Sequence, residues 1–152
     1  PTRRSSDLVD AAAEFLPENN LLFHSFTPEL MPAVRVPCCI IGAEEPGLLS
    51  PIGENYHQFY EHAACTALEV LVYNSDHASF VDNFAGILHG LYDLVFGGSR
   101  TNDNRAKNIA ARYMISWFNV FLRQQEEFMA YLTGEFAQQD VRLGHVRLDA
   151  NF

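Results

Sequence analysis

Two short apolar runs stand out in the pattern of hydrophobic and polar positions: Arg35–Ala43 (RVPCCIIGA) and Ala67–Tyr73 (ALEVLVY). The first is bounded by Pro37 and Gly42 and reads as a central strand of a parallel sheet, covered on both faces. The second is rich in branched and aromatic side chains and ends at Asn74, Ser75 and Asp76, whose short polar side chains favour a turn. Between the runs, Glu44–Gly53 is rich in Glu, Pro and Gly, as loops are, and Asn55–Ala64 (NYHQFYEHAA) sets Tyr56, Phe59, Tyr60 and Ala63 on one helical face. Strand, loop, helix and strand in succession predict a right-handed βαβ crossover.

After His77 the pattern turns apolar again, FVDNFAGILHGLYDLVFGG. Asp82, His89 and Asp93 interrupt it and Gly97–Gly98 end it, which predicts a covering helix or lid and not a membrane span. The clearest helical period covers Asp103–Gln124. There Ala110, Tyr113, Met114, Trp117, Phe118 and Phe121 form a stripe, with Arg105, Lys107, Arg112 and Arg123 off it. Glu126–Leu132 predicts a second short helix up to Gly134, and the weak alternation of VRLGHVRL (141–148) suggests extended chain. Upstream, Pro17–Asn20 is turn chemistry, and VDAAAEFL (9–16) would begin at the end of a strand.

Composition narrows the classes. With 152 residues, 48% hydrophobic and 19% charged, the chain is globular in character and has room for one domain with a moderate core. A net charge of −9, with no basic cluster outside Arg3–Arg4, argues against nucleic acid or an anionic membrane surface as partner. Three cysteines, Cys38, Cys39 and Cys65, are too few for a disulfide framework and read as small buried hydrophobes. No uninterrupted apolar run is long enough to span a bilayer. The opening PTRRSSDL matches the translation of a common sequencing-library adapter. Residues 1–8 are therefore expected to be foreign, and the chain from Val9 onward to be the C-terminal part of a larger protein.

The candidate chemistry centres on His77, because α/β hydrolases keep their general base on the loop that leaves a buried strand. The generic rule places the partner acid after the penultimate strand, where Glu44 and Glu45 lie. His57 with Glu61, and His57 with His62, bring metal-ligand types together, but only the first pair shares a helix face and no third ligand is spaced nearby. His24, His89 and His145 stand alone, and Gly97–Gly98 lacks the GxxxxGK of a phosphate loop.

The order and spacing of PCCIIGAE, SPIGENYHQFYEHA and NSDHASFVDN, followed by a long helix and an extended tail, resemble the chlorophyllase family of α/β hydrolases over most of residues 9–148. The resemblance implies the C-terminal portion of an α/β-hydrolase fold, with a parallel sheet and flanking helices. It assigns His77 as the base of a Ser–Asp–His triad and Asp10, at the family's Leu-Asp-Pro-Val-type turn, as the acid, although the proline is missing in Val9-Asp10-Ala11-Ala12. No Gly-x-Ser-x-Gly elbow occurs, so the nucleophile and oxyanion hole are expected upstream of this chain, which would be inactive alone. The implied substrate is a hydrophobic ester, the phytyl ester of chlorophyll, reached by transient access to a membrane surface in a plastid or the cytoplasm. No cofactor or metal is implied, and Phe80, Phe84 and Leu88 would line the substrate pocket. Related hydrolases take polyesters and small esters, and a non-catalytic α/β module binding an apolar ligand or partner through Phe80–Phe96 is the rival from another class.

Overall fold

A strand that is apolar on both sides must be covered on both sides, and Ala67–Val72 is buried at every position. The computed structural model describes residues 27–45, 56–75, 77–80 and 103–152. Among these, a short helix α1 (Thr27–Leu30) leads through a 3-10 turn (Met31–Ala33) into strand β1 (Cys38–Ala43). Helix α2 (His57–Glu61) precedes the central strand β2 (Ala67–Val72), and a 3-10 turn (His77–Phe80) follows it. Then come the long helix α3 (Asp103–Arg123), a 3-10 turn (Glu126–Phe128), helices α4 (Met129–Leu132) and α5 (Glu135–Arg142), and strand β3 (Val146–Ala150).

The sheet order is β1-β2-β3. β1 runs parallel to β2, Cys38 opposite Ala67 and Ala43 opposite Val72, as the βαβ pattern predicts. β3 runs antiparallel to β2, Val72 opposite Val146 and Leu68 opposite Ala150. The sheet is therefore mixed, which corrects the expectation of a parallel one. The chain leaves α5 through Gly144, whose φ of +64° suits a residue without Cβ, and enters β3 beside the end of β2. From there it can only run backwards along β2. Among the described residues β1 pairs on one side only and is half-buried.

Alternation along the strands separates two faces. Leu68, Val70 and Val72, with Cys39, Ile41, Val146 and Leu148, pack against Ala106, Ile109, Tyr113 and Trp117 of α3. Trp117 also packs against Phe121, ring centroids 4.1 Å apart and tilted by 41°, with Phe152 edge-on at 6.1 Å. The buried arc of α3 runs from Tyr113 and Trp117 towards Ala106 and Ile109. Met114 and Phe118, expected in the stripe, fall beyond its other border and are 44% and 54% exposed. Among the described residues the sheet has three strands, and they pack on the Tyr113–Trp117 side of the helix. The opposite sheet face carries Glu69 and Leu71 of β2 with Arg147 and Asp149 of β3, beneath α2. On that face Tyr56 lies so close over Gly42 that a Cβ there would stand 2.0 Å from the ring.

Candidate functional site

Parallel strands end on one edge of a sheet, and open α/β sheets bind ligands at that carboxyl edge. Here the chains leaving β1 and β2 are tied together. The Glu45 N–H donates to the Ser75 carbonyl at 2.9 Å, and the Asn74 N–H donates to Glu44 Oε2 at 2.7 Å. The Ser75 hydroxyl donates back to the Val72 carbonyl at 2.7 Å, and Asn74 takes a left-handed φ of 52°, so the exit from β2 is a tight turn built from residues suited to it. The Tyr73 N–H donates to the His145 carbonyl at 3.0 Å, which brings the start of β3 to the same edge.

His77 opens the turn that follows. The sequence predicts an irregular loop there; the chain instead coils into one 3-10 turn, His77–Phe80, that packs on α3. Its buried Ser79 and half-buried Phe80 face the core, and this anchoring favours a coiled turn over open loop. Phe80, expected to line a pocket, thus packs against the core cluster. Of the proposed acids, Glu44 accepts through Oε2 from the main chain of the turn that leaves β2, and Glu45 is an exposed residue whose N–H donates to that same turn. Asp10, Phe84, Leu88 and the rest of the apolar segment 81–96 lie outside the described residues.

Two charged clusters went unrecognised in the pattern. Glu69, only 1% exposed, accepts from His57 Nδ1 at 2.7 Å on one oxygen and from Arg147 Nη2 at 3.2 Å on the other. His57 Nε2 lies 3.4 Å from Glu61. Burial by itself lowers the His57 pKa, but the hydrogen bond to Glu69 and the charges of Glu69 and Glu61 outweigh it, so the ring titrates above its ordinary range. A lone glutamate inside ALEVLV was the available signal, since a carboxylate on a fully buried strand requires a cationic or hydrogen-bonding partner. The second cluster surrounds the buried Asp140, which pairs with Arg112 and accepts from the Tyr113 hydroxyl at 3.2 Å. Its other oxygen lies 3.5 Å from His145 Nδ1, so His145 does not stand alone. Burial, reinforced by the Asp140 charge, pushes the Tyr113 hydroxyl well above its usual range.

The three cysteines are half-buried, and Cys39 packs against the core cluster. Cys65 Sγ sits 3.7 Å from Cys38 Sγ. Burial, with the neighbouring thiol, pushes Cys38 up to about 11, and burial pushes Cys39 up to about 12, so both are thiols and not thiolates at neutral pH. Among the described residues no three His, Cys, Asp or Glu side chains converge on a metal-sized site, and no helix is long and apolar enough to cross a membrane. Comparison of the chain with family models, curated proteins and solved structures gives no match in any of the three.

Proposed function

We propose that this chain is the acid- and base-bearing part of a carboxylic-ester hydrolase with a chlorophyllase-like α/β-hydrolase fold. One observation carries the reading: His77 opens the element that comes next after the central strand, on the carboxyl side of a parallel pair whose exit loops are hydrogen-bonded to each other. A base needs such a rigid platform, because proton transfer depends on a fixed approach to the nucleophile. In the proposed mechanism His77 takes the proton from a serine contributed by sequence outside these 152 residues, then delivers it to the leaving alcohol. Asp10 orients the ring. Glu44 is the weaker candidate for that task because its carboxylate already holds the Asn74 N–H. A long apolar alcohol, as in the phytyl ester of chlorophyll, is the proposed leaving group.

The test begins with the gene upstream of residue 9, which is expected to encode a Gly-x-Ser-x-Gly elbow. The complete protein should hydrolyse p-nitrophenyl esters and chlorophyll, and His77→Gln should lower kcat by orders of magnitude without loss of fold. An upstream sequence lacking any elbow serine, or full activity in His77→Gln, refutes the proposal. A second reading, a non-catalytic module that binds a partner, is favoured by the exposed row Ile115, Phe118 and Leu122 on α3. It predicts no elbow serine and no ester turnover.

A further inference from the structure

On the far side of α3 from Met114 and Phe118, a cleft of about 500 Å³ opens between that helix and the α4–α5 pair. That volume is within the ~300–1,000 Å³ range of small-molecule sites. Its polar lining is mostly cationic or donor in character: Arg105, Asn108 and Arg112 one above another on α3, and His145 from the start of β3. Its apolar wall is the stacked ring pair Tyr131 and Phe136, centroids 4.5 Å apart and 14° from parallel.

Charge in this cleft is unbalanced. Among the described residues Asp140 is the one carboxylate lining it, and Arg112, the Tyr113 hydroxyl and His145 already converge on it. Arg105 is left over. Its Nε and Nη2 are shielded from water and have no hydrogen-bond acceptor among the described residues. A guanidinium shielded in this way carries an uncompensated desolvation cost, and native proteins avoid such orphans unless something supplies the acceptor. Nothing in the overall charge, −9, calls for a surplus cation at this spot.

We infer that the cleft is a binding site for a small aromatic molecule bearing an oxyanion. The carboxylate or phosphate accepts from Arg105, with Asn108 as a further donor, and the ring lies against Tyr131 and Phe136. Turned towards the cleft, the Arg105 guanidinium fork matches the two oxygens of either group, and a flat aromatic wall favours a flat ligand. The site is independent of the hydrolase reading and uses none of its residues.

The test is calorimetric titration of the whole chain with 1-naphthyl phosphate, 1-naphthoate, 1-naphthylmethanol and inorganic phosphate. Saturable one-to-one binding of at least one naphthyl oxyanion, with the neutral alcohol and inorganic phosphate each at least tenfold weaker, is the expected result. The ranking of phosphate against carboxylate identifies the anion. Arg105→Gln, with its circular dichroism unchanged, should weaken binding about tenfold or more, the loss of a charge-assisted hydrogen bond. Should that variant fail to fold, amide and side-chain NMR shifts in the unaltered chain decide the matter: perturbations centred on Arg105, Asn108, Tyr131 and His145 support the site. No saturable binding, equal binding of the neutral alcohol, shifts centred elsewhere, or full affinity in a folded Arg105→Gln overturns it.

Discussion

Removing a partner of Glu69 should harm the fold more than removing Glu69 itself. The carboxylate is 1% exposed, while the His57 and Arg147 side chains that hold it are 37% and 36% exposed. Arg147→Met takes the guanidinium from Oε1 and leaves a charge that water cannot reach. Breaking a buried pair in this way costs about 3–5 kcal/mol, and because His57 still serves Oε2 the lower end, about 3 kcal/mol, applies. Glu69→Leu leaves the two bases instead, and both reach solvent. The lost charge-assisted bonds are offset by apolar burial against Leu71 and Ile40, so this variant should unfold within about 1 kcal/mol of the parent. Urea unfolding followed by Trp117 fluorescence at pH 7 measures both. The raised His57 pKa adds a sign. The folded state binds that proton more tightly, so its contribution is complete below the unfolded value of 6.5 and is lost as pH rises through the folded one. The stability gap between the parent and Glu69→Leu should therefore widen as pH falls from 8 to 6. A Glu69→Leu cost equal to that of Arg147→Met, or a gap that narrows on acidification, would refute the reasoning.

Gly42→Ala drives a methyl into the Tyr56 ring and should cost about 1–3 kcal/mol. Tyr56→Leu in the same chain should restore about 1 kcal/mol or more, which a double-mutant unfolding cycle reads as coupling. Trp117→Ala should cost about 3–5 kcal/mol, since the ring is 4% exposed, whereas Phe118→Ala next to it should stay within about 0.5 kcal/mol; circular dichroism in urea checks both. On the proposed hydrolase reading, Asp10→Asn in the full-length protein should cut turnover by orders of magnitude, while Glu44→Gln, whose amide oxygen still accepts from Asn74, should leave kcat unchanged. The reverse ranking in a p-nitrophenyl ester assay would make Glu44 the orienting acid.

Local pattern was enough for the elements whose cause is local. The β-branched and apolar runs mark β1 and β2, the polar trio Asn74–Asp76 marks the end of β2, and the 3.6-residue period marks α3 to within one residue of its end. Their parallel pairing was legible too, because strand, helix and strand at this spacing admit one crossover. Helix α5 was not legible: Glu135–Arg142 is short and mostly polar, and it buries Ala137 and Asp140 while its larger apolar side chains Phe136 and Val141 stay exposed. Nor did period alone set the border of the buried arc on α3, where the described strands pack on the Tyr113–Trp117 side and Met114 and Phe118 stay exposed. The turn beginning at His77 was legible because the polar residues that end a strand are written consecutively. Glu69 with His57 and Arg147, and Asp140 with Arg112 and His145, join positions up to 78 residues apart. Such partnerships depend on which strand lies beside which, and on the direction of β3. Only the assembled sheet decides that, because the cost of burying a charge is settled by whichever cation the fold delivers to it.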